Sequence, residues 1–129
     1  YDFSFSGLKT AVINLIHNAS QKGEELPIND LSASFRKAVV GCLVENFIKV
    51  AQDTGSTRLV IAGGVSANRL LRKELTDKCK KLGYELFMPE KSLCGDNAAM
   101  VGSQAYYEFL SGNTAGNELN AKATMSIEL

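Results

Sequence analysis

The chain has 129 residues, of which 45% are hydrophobic and 22% charged, as expected for a single domain with a modest core. Fourteen basic residues balance fourteen acidic ones, which excludes a polyanion-binding surface over the whole chain and leaves only local basic patches. The 129 residues contain no run of about 18 apolar residues for a membrane span, and no basic segment followed by an apolar stretch that would suggest a signal peptide. The expected compartment is the cytoplasm, where cysteines of odd number and irregular spacing stay reduced.

The first half of the chain predicts one strand and two helices. Aromatic and small polar residues alternate over residues 1–6, which is typical of a strand with one buried face. Apolar spacing predicts a helix over residues 8–19, started by Ser6, and a longer helix that follows Pro27 and ends at Gly55. The predicted core stripe of the longer helix is Leu31, Phe35, Ala38, Val39, Cys42, Leu43, Phe47 and Val50.

The stretch LVIAGGVSANR, residues 59–69, is expected to form the centre of the protein, around which the other elements are arranged. Its apolar beginning predicts a strand buried on both faces, and the paired Gly63 and Gly64 predict a tight turn into a helix. Glycines can adopt positive φ and let a ligand approach the main chain beside the positive end of a helix. In open α/β sheets, ligands bind at this end of the strands.

Two interpretations of the glycine pair remain open: a structural turn alone, or a turn that binds a ligand. Ser66, Asn68 and Arg69 follow the glycines, whereas a structural joint needs only one capping residue. Asn68 is therefore left as a candidate to contact a ligand. Its side chain offers both a donor and an acceptor, which match the edge of an adenine.

The helix predicted from Ser66 to about Leu82, which Gly83 ends, is rich in basic residues. Its predicted inward face consists of Leu70, Leu71, Leu75 and Cys79. A second strand is predicted over residues 84–88, stopped by Pro89, and the intervening helix implies a parallel, right-handed crossover. A solvated helix face is the favoured interpretation of the basic residues, and contact with a phosphate backbone is the alternative. The basic residues are Arg69, Arg72, Lys73, Lys78, Lys80 and Lys81.

Asp96 precedes a last helix, which is predicted to run to about Leu110. It fits two roles equally well. One is the cap of that helix, and the other is a hard oxygen ligand for a metal or for phosphate-bound Mg²⁺. The only histidine, His17, lies in the first predicted helix, and we expect it to be partly exposed and without a catalytic role.

Four motifs resemble the C-terminal portion of the family that makes threonylcarbamoyladenosine in tRNA, called TsaD and formerly Gcp, O-sialoglycoprotein endopeptidase or glycoprotease. They occur in the order found in that family and extend over nearly the whole chain. The motifs are FSFSGLKT at residues 3–10, ASF at 33–35, LVIAGGVSANR at 59–69 and CGDNAAM at 94–100.

The resemblance implies an α/β fold, the C-terminal part of an RNase-H-like lobe of the actin, Hsp70 and sugar-kinase ATPases (ASKHA), helix-rich with a short, mostly parallel sheet. It implies a transferase that moves a threonylcarbamoyl group from its adenylate to the adenosine next to the anticodon of tRNA. Gly63, Gly64 and Asn68 match the part of the family motif that holds the adenine nucleotide, threonylcarbamoyl-adenylate or ATP. Asp96 matches a ligand of one divalent metal, expected to be iron. No residue is assigned a catalytic role.

This chain lacks the pair of histidines, four residues apart, that completes the metal site in the family. Residues 1–129 are therefore expected to be a single-domain fragment of a longer, two-lobed protein, inactive alone. The expected partners are tRNA and the other proteins of the modification complex, and an exposed sheet edge is expected to favour self-association. The alternatives are a metal-dependent glycoprotein peptidase, a non-catalytic partner-binding module and, more distantly, a sugar or acetate kinase lobe.

Overall fold

The computed structural model describes residues 4–121, 123 and 124, and shows a helix-rich α/β chain with a parallel two-stranded sheet. The predicted helical content and parallel strand pair are therefore confirmed. The helices are α1 (Ser6–Lys22), α2 (Ile28–Thr54), α3 (Arg69–Leu82) and α4 (Ala98–Leu110). The strands are β1 (Arg58–Val60) and β2 (Glu85–Phe87), and two short 3-10 turns span Gly64–Ala67 and Lys91–Leu93. Two compact units are formed, Tyr1–Cys94 and Gly95–Leu129.

The strand predicted over residues 1–6 is wrong at its described end. Residues 1–3 lie outside the described residues, Ser4 and Phe5 are not in a strand, and Ser6 begins α1. The Ser4 hydroxyl accepts a hydrogen bond from the backbone N–H of Ser6 at 3.3 Å. Such a local side chain to backbone bond competes with a strand ladder, which is consistent with the absence of a strand at residues 4–6.

The buried face of α2 lies one residue away from the predicted stripe. Val40, Val44, Ile48 and Ala51 are buried, whereas Phe35 is 38% exposed and Cys42 is also exposed. Residues 38–51 are apolar on almost every side of the helix. Periodicity alone therefore cannot select the face that packs, and the contacts with α3 and β1 select it.

The core of the first unit lies between α2, α3 and one face of the sheet. The inward face of α3 is as predicted, because Leu71, Leu75 and Cys79 are buried and Leu70 is partly buried against the core. They pack with the buried side of α2 and with Leu59 of β1, in one continuous cluster. In this cluster Leu75 is the large side chain with the least exposure, at 1%.

Residues 4–121 cover the sheet on one face only, so within this part of the chain the prediction that β1 is buried on both faces is wrong. Leu59 is 6% exposed, but its neighbour Val60 is 64% exposed and the paired Phe87 is 40% exposed. Both covering helices pack on the Leu59 side. On the opposite side Arg58 lies over the Phe87 ring at 5.4 Å and bonds to Glu85 at 3.2 Å.

The second unit contains α4, whose residues all remain partly or fully exposed. Its bounds agree with the predicted helix, which ends at Leu110. Across the described part of the chain, no helix is long and apolar enough to cross a membrane.

Candidate functional site

The turn after β1 requires glycine at its first position. Gly63 has φ 80° and ψ 170°, a backbone region that is essentially restricted to glycine. Gly64 instead begins the 3-10 turn, without a positive φ. The prediction that both glycines exploit positive φ is therefore confirmed for Gly63 only.

The buried residue Ser66 stabilises the conformation of this turn. It is 2% exposed, and its hydroxyl donates to the Gly63 carbonyl at 2.7 Å. The backbone N–H of Ser66 donates to the same carbonyl at 2.9 Å. The Gly63 carbonyl is thus fixed by two donors, which orients the peptide plane between Gly63 and Gly64.

Asn68 is the capping residue of α3, and Ser66 is not. The Asn68 Oδ1 atom accepts the backbone N–H groups of Leu70 at 2.9 Å and Leu71 at 3.2 Å. The candidate ligand contact Asn68 therefore also has a structural role. Capping uses only Oδ1, however, and the side-chain NH₂ group has no hydrogen-bond partner among the described residues.

The turn leaves a small set of donors available to a ligand. Gly63 and Gly64 are exposed, and their backbone N–H groups donate to no acceptor within residues 4–121. Together with the NH₂ group of Asn68 they offer hydrogen bonds to phosphate or carbonyl oxygens or to an adenine nitrogen. The helix end itself contributes less than expected, because Asn68 already satisfies two of its N–H groups.

Arg72 connects this turn to the loop that follows β2. Its Nε donates to the Ser66 carbonyl at 2.6 Å, and Nη2 donates to the Pro89 carbonyl at 2.5 Å and lies 3.2 Å from Cys94 Sγ. The sequence interpretation placed Arg72 on a solvated face and missed this role. Arg72 lies three residues before Leu75 and seven before Cys79, which puts it on the buried stripe of α3. This spacing is the sequence signal that could have predicted its buried role.

The remaining basic residues of α3 form an exposed surface. Lys73 pairs with Asp77 at 3.0 Å, and the hydrogen bond and charge of Asp77 raise the pKa of Lys73. Arg69, Lys78, Lys80 and Lys81 are exposed, in agreement with the solvated face predicted from the sequence. Contact of this face with a phosphate backbone stays a prediction.

Asp96 lies in the second unit and does not cap α4. Asn97 is the cap, because its Oδ1 accepts the N–H of Met100 at 2.8 Å. Asp96 is exposed one residue earlier, so the capping interpretation of this carboxylate is wrong. Within the described residues, no group of three His, Cys, Asp or Glu side chains is placed to hold a metal. Asp96 can therefore provide one ligand but not a complete site.

Comparison with known proteins identifies the family of this chain. The model of the family described as TsaD, tRNA N6-adenosine threonylcarbamoyltransferase, matches residues 1–103. The chain belongs to the TsaD family. The matched residues include Gly63, Gly64, Asn68 and Asp96, so all four predicted site residues lie within the TsaD match.

Similar TsaD proteins come from several bacteria. A tRNA N6-adenosine threonylcarbamoyltransferase of Clostridium botulinum is 44% identical over 126 residues, which is 98% of this chain and 37% of the relative. One from Caldicellulosiruptor saccharolyticus is 44% identical over 98% of this chain and 38% of its own length. One from Staphylococcus haemolyticus is 45% identical over 99% and 37%. The chain thus spans little more than a third of the length of these relatives.

Proposed function

We propose that this chain forms the nucleotide-holding part of a tRNA threonylcarbamoyladenosine transferase and is inactive by itself. The proposal depends chiefly on the turn after β1, where Gly63 adopts a conformation restricted to glycine and two exposed N–H groups have no partner within the described residues. The relatives are named for threonylcarbamoyl transfer to N6 of adenosine, and an adenylate donor carries the phosphate and adenine that these donors suit.

The turn acts by binding and orienting the donor. The N–H groups of Gly63 and Gly64 bind oxygen atoms of the adenylate or of ATP, and the NH₂ group of Asn68 donates to a ring nitrogen of its adenine. In the transfer, the N6 nitrogen of the tRNA adenosine bonds to the carbamoyl carbon. The bond from that carbon to the phosphate oxygen breaks, AMP leaves, and N6 loses a proton. A fixed AMP portion holds the carbamoyl carbon at one position during attack.

Asp96 is proposed as one ligand of a divalent metal, iron in this proposal, whose other ligands lie outside this chain. Its carboxylate suits a site of two histidines and one carboxylate, and the exposed side chain is not needed to cap α4. When bound, the metal supplies polarisation of the donor carbonyl. Asp96 contributes one negatively charged oxygen ligand to that site.

The wider context is also part of the proposal. The chain forms the C-terminal part of an RNase-H-like, ASKHA-type lobe within a cytoplasmic protein that acts on tRNA together with the other proteins of the modification complex. Separated from that context, the chain associates through the open edges of its two-stranded sheet.

Transfer by a complete transferase containing this chain tests the proposal. We expect threonylcarbamoyl-adenylate and tRNA to give threonylcarbamoyladenosine, and Asp96→Asn to abolish transfer with an unchanged unfolding temperature. Asn97→Ala is the matched control, because loss of the cap destabilises α4 by about 1 kcal/mol and leaves the Asp96 carboxylate in place. Full transfer by Asp96→Asn would remove the metal assignment.

A metal-dependent glycoprotein peptidase is the alternative enzyme. It would cleave a glycoprotein in a reaction that a chelator stops, and it would have no use for the nucleotide turn. A partner-binding module would bind the other proteins of the complex and no nucleotide. A wild-type protein that neither transfers the group nor binds AMP would contradict the proposed function.

A further inference from the structure

Arg72 joins three chain segments through one guanidinium group. Its acceptors are the Ser66 carbonyl in the turn after β1, the Pro89 carbonyl after β2 and the Cys94 sulfur. Since β1 and β2 are parallel, the first two acceptors lie in loops that leave the same end of the sheet. The side chain of Arg72 therefore fixes the separation of these two loops.

The chemistry of this contact requires arginine. A guanidinium is planar and presents several donors in a fixed fork, whereas a lysine ammonium is a single point charge on a flexible stem. Nε and Nη2 point to acceptors on different loops. A lysine at this position would keep the charge but could not hold both loops at these positions.

The contact extends to the glycine turn. Arg72 bonds to the carbonyl of Ser66, and both the hydroxyl and the N–H of Ser66 bond to the carbonyl of Gly63. Arg72 thus supports, through Ser66, the peptide plane that contains the Gly63 carbonyl and the N–H of Gly64. A role on an RNA-binding surface is disfavoured, because Arg72 is half-buried and bonds to protein acceptors.

We propose that Arg72 is a positioning residue that holds the turn after β1 in its adenylate-binding geometry by tying it to the loop after β2. This inference rests on the proposed function and concerns the donor site, not the tRNA site. Loss of the fork displaces the N–H groups of the turn from the adenylate. It therefore weakens donor binding more than it affects the fold or the binding of tRNA.

Steady-state kinetics of the complete transferase with Arg72→Lys and Arg72→Gln test this proposal. We expect the KM for threonylcarbamoyl-adenylate to rise about tenfold in both variants, equivalent to about 1.4 kcal/mol, with the KM for tRNA unchanged. Lys78→Gln on the exposed side of α3 is the charge control and leaves the KM for the adenylate unchanged. Isothermal titration with AMP measures the same loss without turnover.

Two results would overturn the role of Arg72. A normal adenylate KM in Arg72→Lys would show that charge suffices, and a fall in kcat alone would indicate a structural effect on the active fraction. If neither variant folds, Cys94→Ala removes one acceptor, and the adenylate KM is expected to rise about threefold; an unchanged value contradicts the proposal. Absence of transfer in the wild-type protein is a different outcome, because it refutes the proposed function itself.

Discussion

At the residue scale, Asn68 combines a structural role with a proposed binding role on different atoms of one amide. Oδ1 caps α3, and the NH₂ group is left for adenine. Aspartate keeps the capping oxygen and lacks the NH₂ donor, so Asn68→Asp separates the two roles. We expect the Asn68→Asp variant to keep the unfolding temperature of the wild type. AMP binding by the complete transferase should weaken about tenfold, because one hydrogen bond worth about 1.4 kcal/mol is lost.

The matched variant is Asn68→Ala, which removes both roles. It should also lower the free energy of unfolding by about 1 kcal/mol, the usual effect of losing such a cap. AMP binding by Asn68→Asp that equals that of the wild type would show that the NH₂ group does not contact the nucleotide.

The two adjacent glycines provide a second test at the residue scale. Gly63→Ala forces alanine into a backbone region restricted to glycine, so we expect a loss of about 1–3 kcal/mol in the free energy of unfolding. At Gly64 an added Cβ meets nothing within 4 Å, and the loss should be small. Chemical denaturation of both variants measures the difference, and equal losses would contradict the observed conformation of Gly63.

At the element scale, the packing of α3 against α2 and β1 holds the first unit together. Leu75 is 1% exposed, whereas Leu82 on the same helix is 39% exposed. Leu75→Ala should destabilise the chain by about 2–5 kcal/mol, and Leu82→Ala by much less. Equal effects in thermal unfolding would show that α3 does not pack by this face.

The sequence predicts elements best where their apolar pattern is one-sided. The inward face of α3 is confirmed because most of its charged residues occupy the other side, and its end is confirmed because Gly83 is a left-handed cap with φ 72°. The packed face of α2 is missed because residues 38–51 of that helix are apolar on almost every side. The assumed double burial of β1 is wrong because both neighbouring helices pack on one side of the sheet.

In the candidate site, too, the sequence predicts the features set by local pattern and misses those set by contacts in the folded chain. The glycine turn is predictable because few other residues fit such a backbone. Residue type alone does not distinguish Ser66 from Asn68 as the cap of α3, and the capping role of Asn97 is missed because the adjacent Asp96 is an equally good cap by residue type. Arg72 is missed because a charged residue in a basic helix is expected in solvent, although its spacing places it on the buried stripe.

At the scale of the whole molecule, the buried thiol of Cys79 links stability to pH. Burial raises the pKa of Cys79, so the folded state holds this proton more tightly than the unfolded state. The resulting stabilisation is full below the ordinary thiol pKa of about 8.5 and is lost as the pH rises through the higher folded value. The free energy of unfolding should therefore fall at alkaline pH.

Comparison with Cys79→Ala isolates this effect from other titrating groups. The difference in unfolding free energy between the wild type and the variant should shrink from neutral pH to about pH 10. A constant difference over this range would show that Cys79 is not shielded from solvent in the folded chain.

Photo-crosslinking of a complete transferase containing this chain with an azido-adenine nucleotide shows whether the turn after β1 binds the nucleotide. Mass spectrometry of the labelled peptides locates the contact without relying on turnover. We predict a label between Gly63 and Arg72 that excess AMP suppresses. A competed label found only in peptides that exclude these residues would contradict it.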